Sequence, residues 1–211
     1  MGIQERRERE REARRASVLN ATRTLVLERG FNATTTKVIA EQCELSEGAL
    51  FLYFQNKEEI FLSLLFEGID FTADILDKLL EAELPPTERL QKLWESYTLI
   101  NREHPEYVHV FGYLSRPQAT ASVGAEVKAE IAKKSGDNFR RVARLLDGIV
   151  PPDRTRIAAD LLWAAFVGLN SLNDTRRNLG ATAHPSKADL KAAFDLLSRG
   201  ILADVADGDR R

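Results

Sequence analysis

Residues 34–57 read TTTKVIAEQCELSEGALFLYFQNK, and the spacing of apolar positions in this stretch decides how the chain is built. Val38, Ile39, Leu45, Leu50 and Phe54 recur at intervals that put them on one side of two short helices. The first is expected from Thr36 to Cys43 and the second from Ser46 to Phe54, with a break at Glu44-Leu45. Upstream, a longer helix from Glu8 to Arg29 carries Val18, Ala21, Thr22 and Leu25 on one stripe and ends at Gly30. One long helix followed by two short ones across a tight turn is a helix-turn-helix pattern. Asn56 with Glu59 three residues on has the form of a capping box, which opens a long helix reaching Glu81.

Beyond that helix the periodicity stays near 3.6. Helices are expected at Thr87 to Glu103, Pro105 to Leu114, Ala119 to Leu146, Arg154 to Asn178 and Ser186 to Asp204, with Gly and Pro at the breaks. No alternating β-branched run bounded by hairpin dipeptides is present, so the fold class is all-α, with about nine helices. A head at 1–56 and a body at 57–211 follow from where the two short helices end.

Composition narrows the function. With 211 residues, 44% apolar and 29% charged, and a net charge of −2, the chain is neither disordered nor a bulk polycation. A lone cysteine, Cys43, closes no intrachain disulfide, and three histidines supply too few ligands for a Cys/His zinc site, so no metal and no cofactor are expected. No stretch reaches the roughly 18 apolar residues of a membrane span, and the first fifteen residues lack an apolar central region. The expectation is a cytoplasmic protein with no membrane partner.

The 34–57 stretch resembles the DNA-binding head of the tetracycline-repressor (TetR) family of bacterial transcription regulators. The likeness rests on the apolar first helix ending in Gly30-Phe31, the Thr-rich cap, Ile39-Ala40, Leu45-Ser46, Gly48, and Tyr53-Phe54 followed by Lys57 and two glutamates. It covers about 55 residues; the remainder agrees in length and helix pattern. It implies a ligand-responsive DNA-binding regulator, a repressor released from a near-palindromic double-stranded operator by a small apolar or amphipathic ligand, working as a homodimer. It also implies that the second short helix enters the major groove, which sets Glu47, Gly48, Ala49 and Phe51 or Leu52 near bases and Tyr53 on phosphate.

The residues allow the same use on their own chemistry. Val38, Ile39, Leu45, Leu50 and Phe54 are expected to pack on Val18, Leu25 and Phe31, leaving Glu47, Ala49, Leu52 and Tyr53 outward. Thr35, Thr36 and Ser46 stand at helix starts, where hydroxyls and backbone N–H groups bind phosphate oxygens, and Lys37 and Lys57 add charge at either end. As plain helix caps the same residues need no DNA. Glu47 repels phosphate but accepts a hydrogen bond from cytosine N4. Glu44 occupies the turn position where many relatives have Gly, which predicts a strained φ. Residues 1–60 hold ten Lys/Arg and ten Asp/Glu, so the head is formally neutral. That predicts a modest salt slope, from three or four phosphate contacts per head at about 0.9 each. The Arg/Glu-rich start, with Arg6/Glu10 and Glu10/Arg14 four apart, reads either as a solvated, ion-paired helix or as a DNA-contacting arm.

In the body, the run from Leu161 to Leu169 is apolar all round and must be buried on more than one side. Leu162 and Phe166 of this helix, with the stripe Leu190, Phe194, Leu197 and Ile201 of the last one, are expected to form a four-helix interface between two chains; the rival is an ordinary intrachain core. Phe194→Asp then predicts a monomer. Phe66, Trp94, Tyr97, Phe111, Phe139, Trp163 and Asn170 are candidates for a ligand pocket, as are Tyr107, Tyr113, His109, Arg116 and Asn173, against ordinary core packing. Two readings from other classes were weighed. Glu106-Tyr107-Val108-His109 is an E-x-x-H element of the di-iron type, but a second copy is absent. Cys43 sits among Ile39, Ala40 and Leu45 as a small core residue, with a redox role as the rival. A helical ligand-binding or adaptor protein without DNA binding is the alternative function.

Overall fold

The computed structural model describes residues 2–114, 121, 123–180 and 187–208, with side chains for all of these except Thr87, Phe111, Tyr113, Leu114, Lys187, Ala188 and 203–208. Among them are nine helices and no strand: α1 Ile3–Ala33, α2 Thr36–Gln42, α3 Glu47–Leu50, α4 Lys57–Glu81, α5 Pro86–Glu103, α6 Pro105–Leu114, α7 Ala125–Leu145, α8 Thr155–Asn178 and α9 Lys187–Gly208. The all-α expectation holds. None of these helices is long and apolar enough to cross a membrane.

Local chemistry sets the boundaries of the first helices. α1 is kinked at Gly30, whose φ of 75° and ψ of 171° leave the helical region, a conformation that glycine adopts without a Cβ clash. The buried Thr34 hydroxyl donates to the Gly30 carbonyl at 2.8 Å and ties off the kink. Thr35 caps α2 by accepting from the Val38 N–H at 3.3 Å, and Ser46 caps α3 by accepting from the Ala49 N–H at 3.1 Å. α3 is shorter than the sequence predicts, because the chain turns after Leu50. At α4, Asn56 Oδ1 accepts from the Glu59 N–H at 2.7 Å. Glu59 Oε2 reaches back to the Gln55 N–H at 2.5 Å, one residue earlier than the standard box.

The chain divides into two compact units. The first comprises Met1–Asp70 and Asn101–Ala132 and the second Phe71–Ile100 and Lys133–Arg211, so α4 contributes to both. The core of the first unit gathers Val18, Leu25, Ile39, Leu50, Phe54, Ile60 and Leu64, with Val110 of α6, while Phe31, Val38 and Leu45 pack partly buried against it. Each fully buried side chain of this size contributes about 1.5–3 kcal/mol. The second unit is built on aromatic contacts: Trp94 stacks on Phe194 at 5.4 Å, and Tyr97 meets Trp163 at 5.3 Å and Phe166 at 5.4 Å.

Candidate nucleic-acid interface

The caps and the core fix which way α3 faces. With Leu50 and Phe54 buried, Ser46, Glu47 and Gly48 are exposed, Ala49 is half-buried, and Leu52 is 72% exposed with Phe51 beside it at 47%. Two large apolar side chains in water at one spot are not a folding requirement of the unit that carries them. The Ser46 and Thr35 oxygens accept the capping N–H groups, which leaves each hydroxyl proton free to donate to a phosphate oxygen. Thr35 and Lys37 are exposed and Thr36 is half-buried at the start of α2. A Cβ placed on Gly48 would meet only Ser46 Oγ at 3.9 Å, so the fold itself does not demand glycine there.

Two expected contacts change character. Lys57 is turned inward: its Nζ donates to the Phe31 carbonyl at 2.8 Å and lies 5.1 Å from the Phe61 ring centroid. Burial pushes its pKa down. This ammonium seals the end of the α1 kink and is withdrawn from the DNA-facing group. Tyr53 packs half-buried against the core, nearer to the plain structural reading than to a free phosphate ligand.

Arg15 does work that the sequence did not reveal. Its Nη1 donates to the Tyr53 carbonyl and lies 3.3 Å from Glu59 Oε1, and its Cζ sits 4.0 Å from the Phe54 ring centroid. One guanidinium of α1 thereby holds the chain just after α3 and the first turn of α4. Its partners lie 38 and 44 residues away, beyond any local pattern. Cys43 packs partly buried against the same core, and burial pushes its thiol pKa up, away from the reactive thiolate.

The expected ligand residues are placed as follows. Trp94, Tyr97 and Trp163 come together around Phe166, with Tyr97 also against Trp163. Burial raises the Tyr97 phenol pKa far above its usual range. Asn170 Nδ2 donates to its own helix at the Phe166 carbonyl, 2.8 Å away, and so is internally satisfied. Asn173 Oδ1 is buried without a hydrogen-bond partner among the described residues. Phe139 is half-buried in the second unit, and Phe66 is half-buried in the first. The side chains of Phe111 and Tyr113, and all of Arg116, lie outside the described residues. The second unit has a cavity of about 240 Å³ lined by Pro86, Leu90, Gln91, Ile149, Phe194 and Leu202, among others.

Within a single chain the expected dimer residues are placed as follows. Leu162, Phe166, Phe194 and Ile201 are 1%, 2%, 8% and 7% exposed within a single chain, and Leu190 and Leu197 are half-buried. Phe166 and Phe194 are taken up by Trp94. The large apolar side chains that the same helices leave in water, among the described residues, are Ile157, Leu161 and Leu172 on α8 and Leu196 and Leu202 on α9. Glu106 of the E-x-x-H element is buried and pairs with Arg23, and no cluster of three potential metal ligands occurs among the described residues.

Comparisons with known proteins agree with this arrangement. Residues 18–64 match the family model described as bacterial regulatory proteins, tetR family. The HTH-type transcriptional repressor KstR2 of Mycobacterium tuberculosis is 31% identical over 97 residues, covering 46% of this chain and 48% of that one. The HTH-type transcriptional activator FasR of Mycolicibacterium smegmatis is 25% identical over 150 residues, 66% of this chain and 68% of that one. For several curated relatives the match spans only a third to a half of their length, 33%, 31% and 47% in three cases. Among solved structures, AibR in complex with isovaleryl coenzyme A and operator DNA superposes with a TM-score of 0.66 at 17% identity, over 89% of this chain and 97% of that one, which is a likeness of fold.

Proposed function

We propose that the chain is a TetR-family regulator, as the match of residues 18–64 indicates, and that it is a ligand-responsive, DNA-binding transcription regulator that acts as a homodimeric repressor. The observation that carries this reading is the outer face of α3 and the turn after it. Glu47, Gly48 and the exposed Leu52 are presented together by a core, two caps and Arg15 that hold them rigidly. Leu52 suits a thymine methyl and Glu47 a cytosine N4 amino group, while the hydroxyls of Thr35 and Ser46 and the charge of Lys37 suit phosphates. One such head specifies few bases. Two heads about 34–36 Å apart read successive major grooves of a near-palindrome.

The proposed effector is an apolar or amphipathic molecule of the acyl type, bound in the body. Support comes from the aromatic second unit and from two fold relatives, AibR in complex with isovaleryl coenzyme A and the fatty acid degradation regulator FadR of Bacillus halodurans. Ligand binding shifts the population toward a form in which the two heads no longer fit adjacent grooves. A shift from 1:99 to 99:1 requires a differential affinity of roughly 5.5 kcal/mol, shared between the two sites of a dimer.

A gel shift with DNA from upstream of the chain's own gene tests the reading. Retardation abolished by saturating an acyl-type ligand supports it; equal operator affinity with and without ligand overturns the switch. Gly48→Ala sharpens the test. The variant is expected to fold with unchanged stability, since the added methyl has space, and to lose operator affinity at least tenfold, because that methyl stands between backbone and DNA. The second reading, a helical binding or adaptor protein without DNA contact, is favoured by Glu47 and by the formal neutrality of residues 1–60. It gains if no DNA fragment is retarded.

A further inference from the structure

The formal neutrality of the head conceals a separation of charge along α1. Arg7, Arg11 and Arg14 stand at i, i+4 and i+7 and share one stripe; Glu5, Glu8 and Glu12 stand at i, i+3 and i+7 on another. All six are exposed. None of the three arginines makes a side-chain hydrogen bond or ion pair with any described residue, whereas Arg6 is engaged by Glu10 at 2.9 Å. The arginine stripe does not face empty solvent alone. With Glu10, Leu52 and Tyr53 it lines one open groove of about 740 Å³ in the first unit, so it is continuous with the exposed tip beyond α3. Glu10 is the single carboxylate in that groove, and its pairing with Arg6 offsets its charge.

We infer that Arg7, Arg11 and Arg14 extend the DNA-binding surface beyond α3, gripping phosphates of the duplex that flank the bases read near Leu52. The inference rests on the DNA-binding reading and adds to it a sequence-independent anchor. Three guanidiniums on a rigid helix, spaced about one turn apart and aimed into a groove beside the reading element, match a row of phosphates in charge and in periodicity. Of Glu5, Glu8, Glu10 and Glu12, only Glu10 stands within the arginine stripe, and there it is engaged by Arg6 at 2.9 Å. The helix is continuous from Ile3 into the core around Val18, so the stripe is held at a fixed angle to α3 without any ordering on binding.

The test compares full-length wild type, R7Q/R11Q/R14Q, R7K/R11K/R14K and the control R6Q/R9Q, each checked for unchanged helicity. The probe is a duplex that wild type enriches from a random-sequence pool, titrated by fluorescence anisotropy between 50 and 200 mM salt. The glutamine triple variant is expected to lower the slope of log affinity against log salt by about 0.9 for each phosphate contact removed, up to roughly 2.7 per head. Its ranking of single-base variants of the duplex should stay as in wild type. The lysine triple variant and the R6Q/R9Q control should keep most of the slope. A glutamine variant that matches wild type in slope and affinity overturns the anchor while leaving the DNA reading intact. A control that loses as much as the triple variant overturns it as well, since net charge alone would then be responsible. If wild type enriches no duplex at all but binds phosphatidylserine vesicles, the DNA reading fails and the stripe is assigned to an anionic surface of another kind.

Discussion

Glu44 sits in the turn between α2 and α3 with φ of 55°, in the left-handed region where a Cβ is unfavourable by roughly 1–2 kcal/mol. The turn needs this conformation because the Leu45 N–H must return to the Ala40 carbonyl, at 2.9 Å, before Ser46 can cap α3. Glu44→Gly relieves the Cβ clash but adds backbone freedom to the unfolded chain, so a net gain of about 0.5–1 kcal/mol is expected. Urea unfolding of the two proteins measures it, and a loss of stability would mean that the glutamate side chain compensates for the strain. This position was readable from the sequence, because a residue type was out of place in a known turn. Lys57 was not. A lysine after an aromatic pair fits a phosphate contact as well as it fits the Phe31 carbonyl, and only the course of the chain 26 residues earlier decides between them.

At the scale of elements, one ion-pair group within each compact unit shows what helix periodicity leaves undetermined. In the first unit, Arg23 of α1 reaches Glu67 of α4 at 2.5 Å and Glu106 of α6 at 2.6 Å, with His104 Nδ1 3.4 Å from the same Glu106. Glu106 is 1% exposed, and Arg23 is paired with it there. Arg23→Met is expected to destabilise by about 3–5 kcal/mol by stranding that carboxylate. Adding Glu106→Leu should recover most of the loss, since an apolar pair of similar volume replaces a buried ion pair at little net cost. Chemical denaturation of the single and double variants checks both; a double variant no more stable than the single would show that Glu106 has a further essential partner. In the second unit, Arg141 of α7 holds Asp77 of α4 through bonds of 2.8 and 2.9 Å, and this lowers the Asp77 pKa. A carboxylate with a depressed folded pKa stabilises fully above its unfolded value, near pH 4, and the contribution disappears as pH falls through the lower folded value. The stability difference between wild type and Asp77→Asn should therefore be present at pH 7 and shrink below about pH 4. A difference that is flat from pH 7 to pH 2 would rule out the pair as its source. The helices themselves were legible, from Gly30 through the Asn56 and Glu59 cap to Asn178, because each rests on neighbours within four residues. The pairings between them were not, since Arg23 and Glu106 are 83 positions apart and carry no shared local pattern.

For the molecule as a whole, the question is which apolar surface a second copy covers. The stripe of Leu190, Phe194, Leu197 and Ile201 looked equally suited to a partner chain and to the chain's own core, because periodicity reports that a face is buried without saying by what. Stacking of Phe194 on Trp94 favours the core, and we propose that a partner chain covers a different face. Left exposed are a second stripe on α8, where Ile157, Leu161 and Leu172 stand in line with Ala164 and Gly168, small residues that permit close helix approach, and Leu196 and Leu202 on α9. We propose that the α8 stripe and Leu196 form the contact between the two chains of the homodimer. Leu161→Asp with Leu196→Asp is expected to give a folded monomer by sedimentation, with unchanged helicity and with affinity for a two-half-site duplex reduced at least a hundredfold, because the second head no longer binds as part of the same molecule. Phe194→Asp should instead unfold the second unit, by burying a charge against Trp94 at a cost that exceeds several kcal/mol. Should the double aspartate variant remain dimeric while Phe194→Asp becomes a stable monomer, the assignment of the two faces is reversed and the intrachain packing of α9 is not the form that binds DNA.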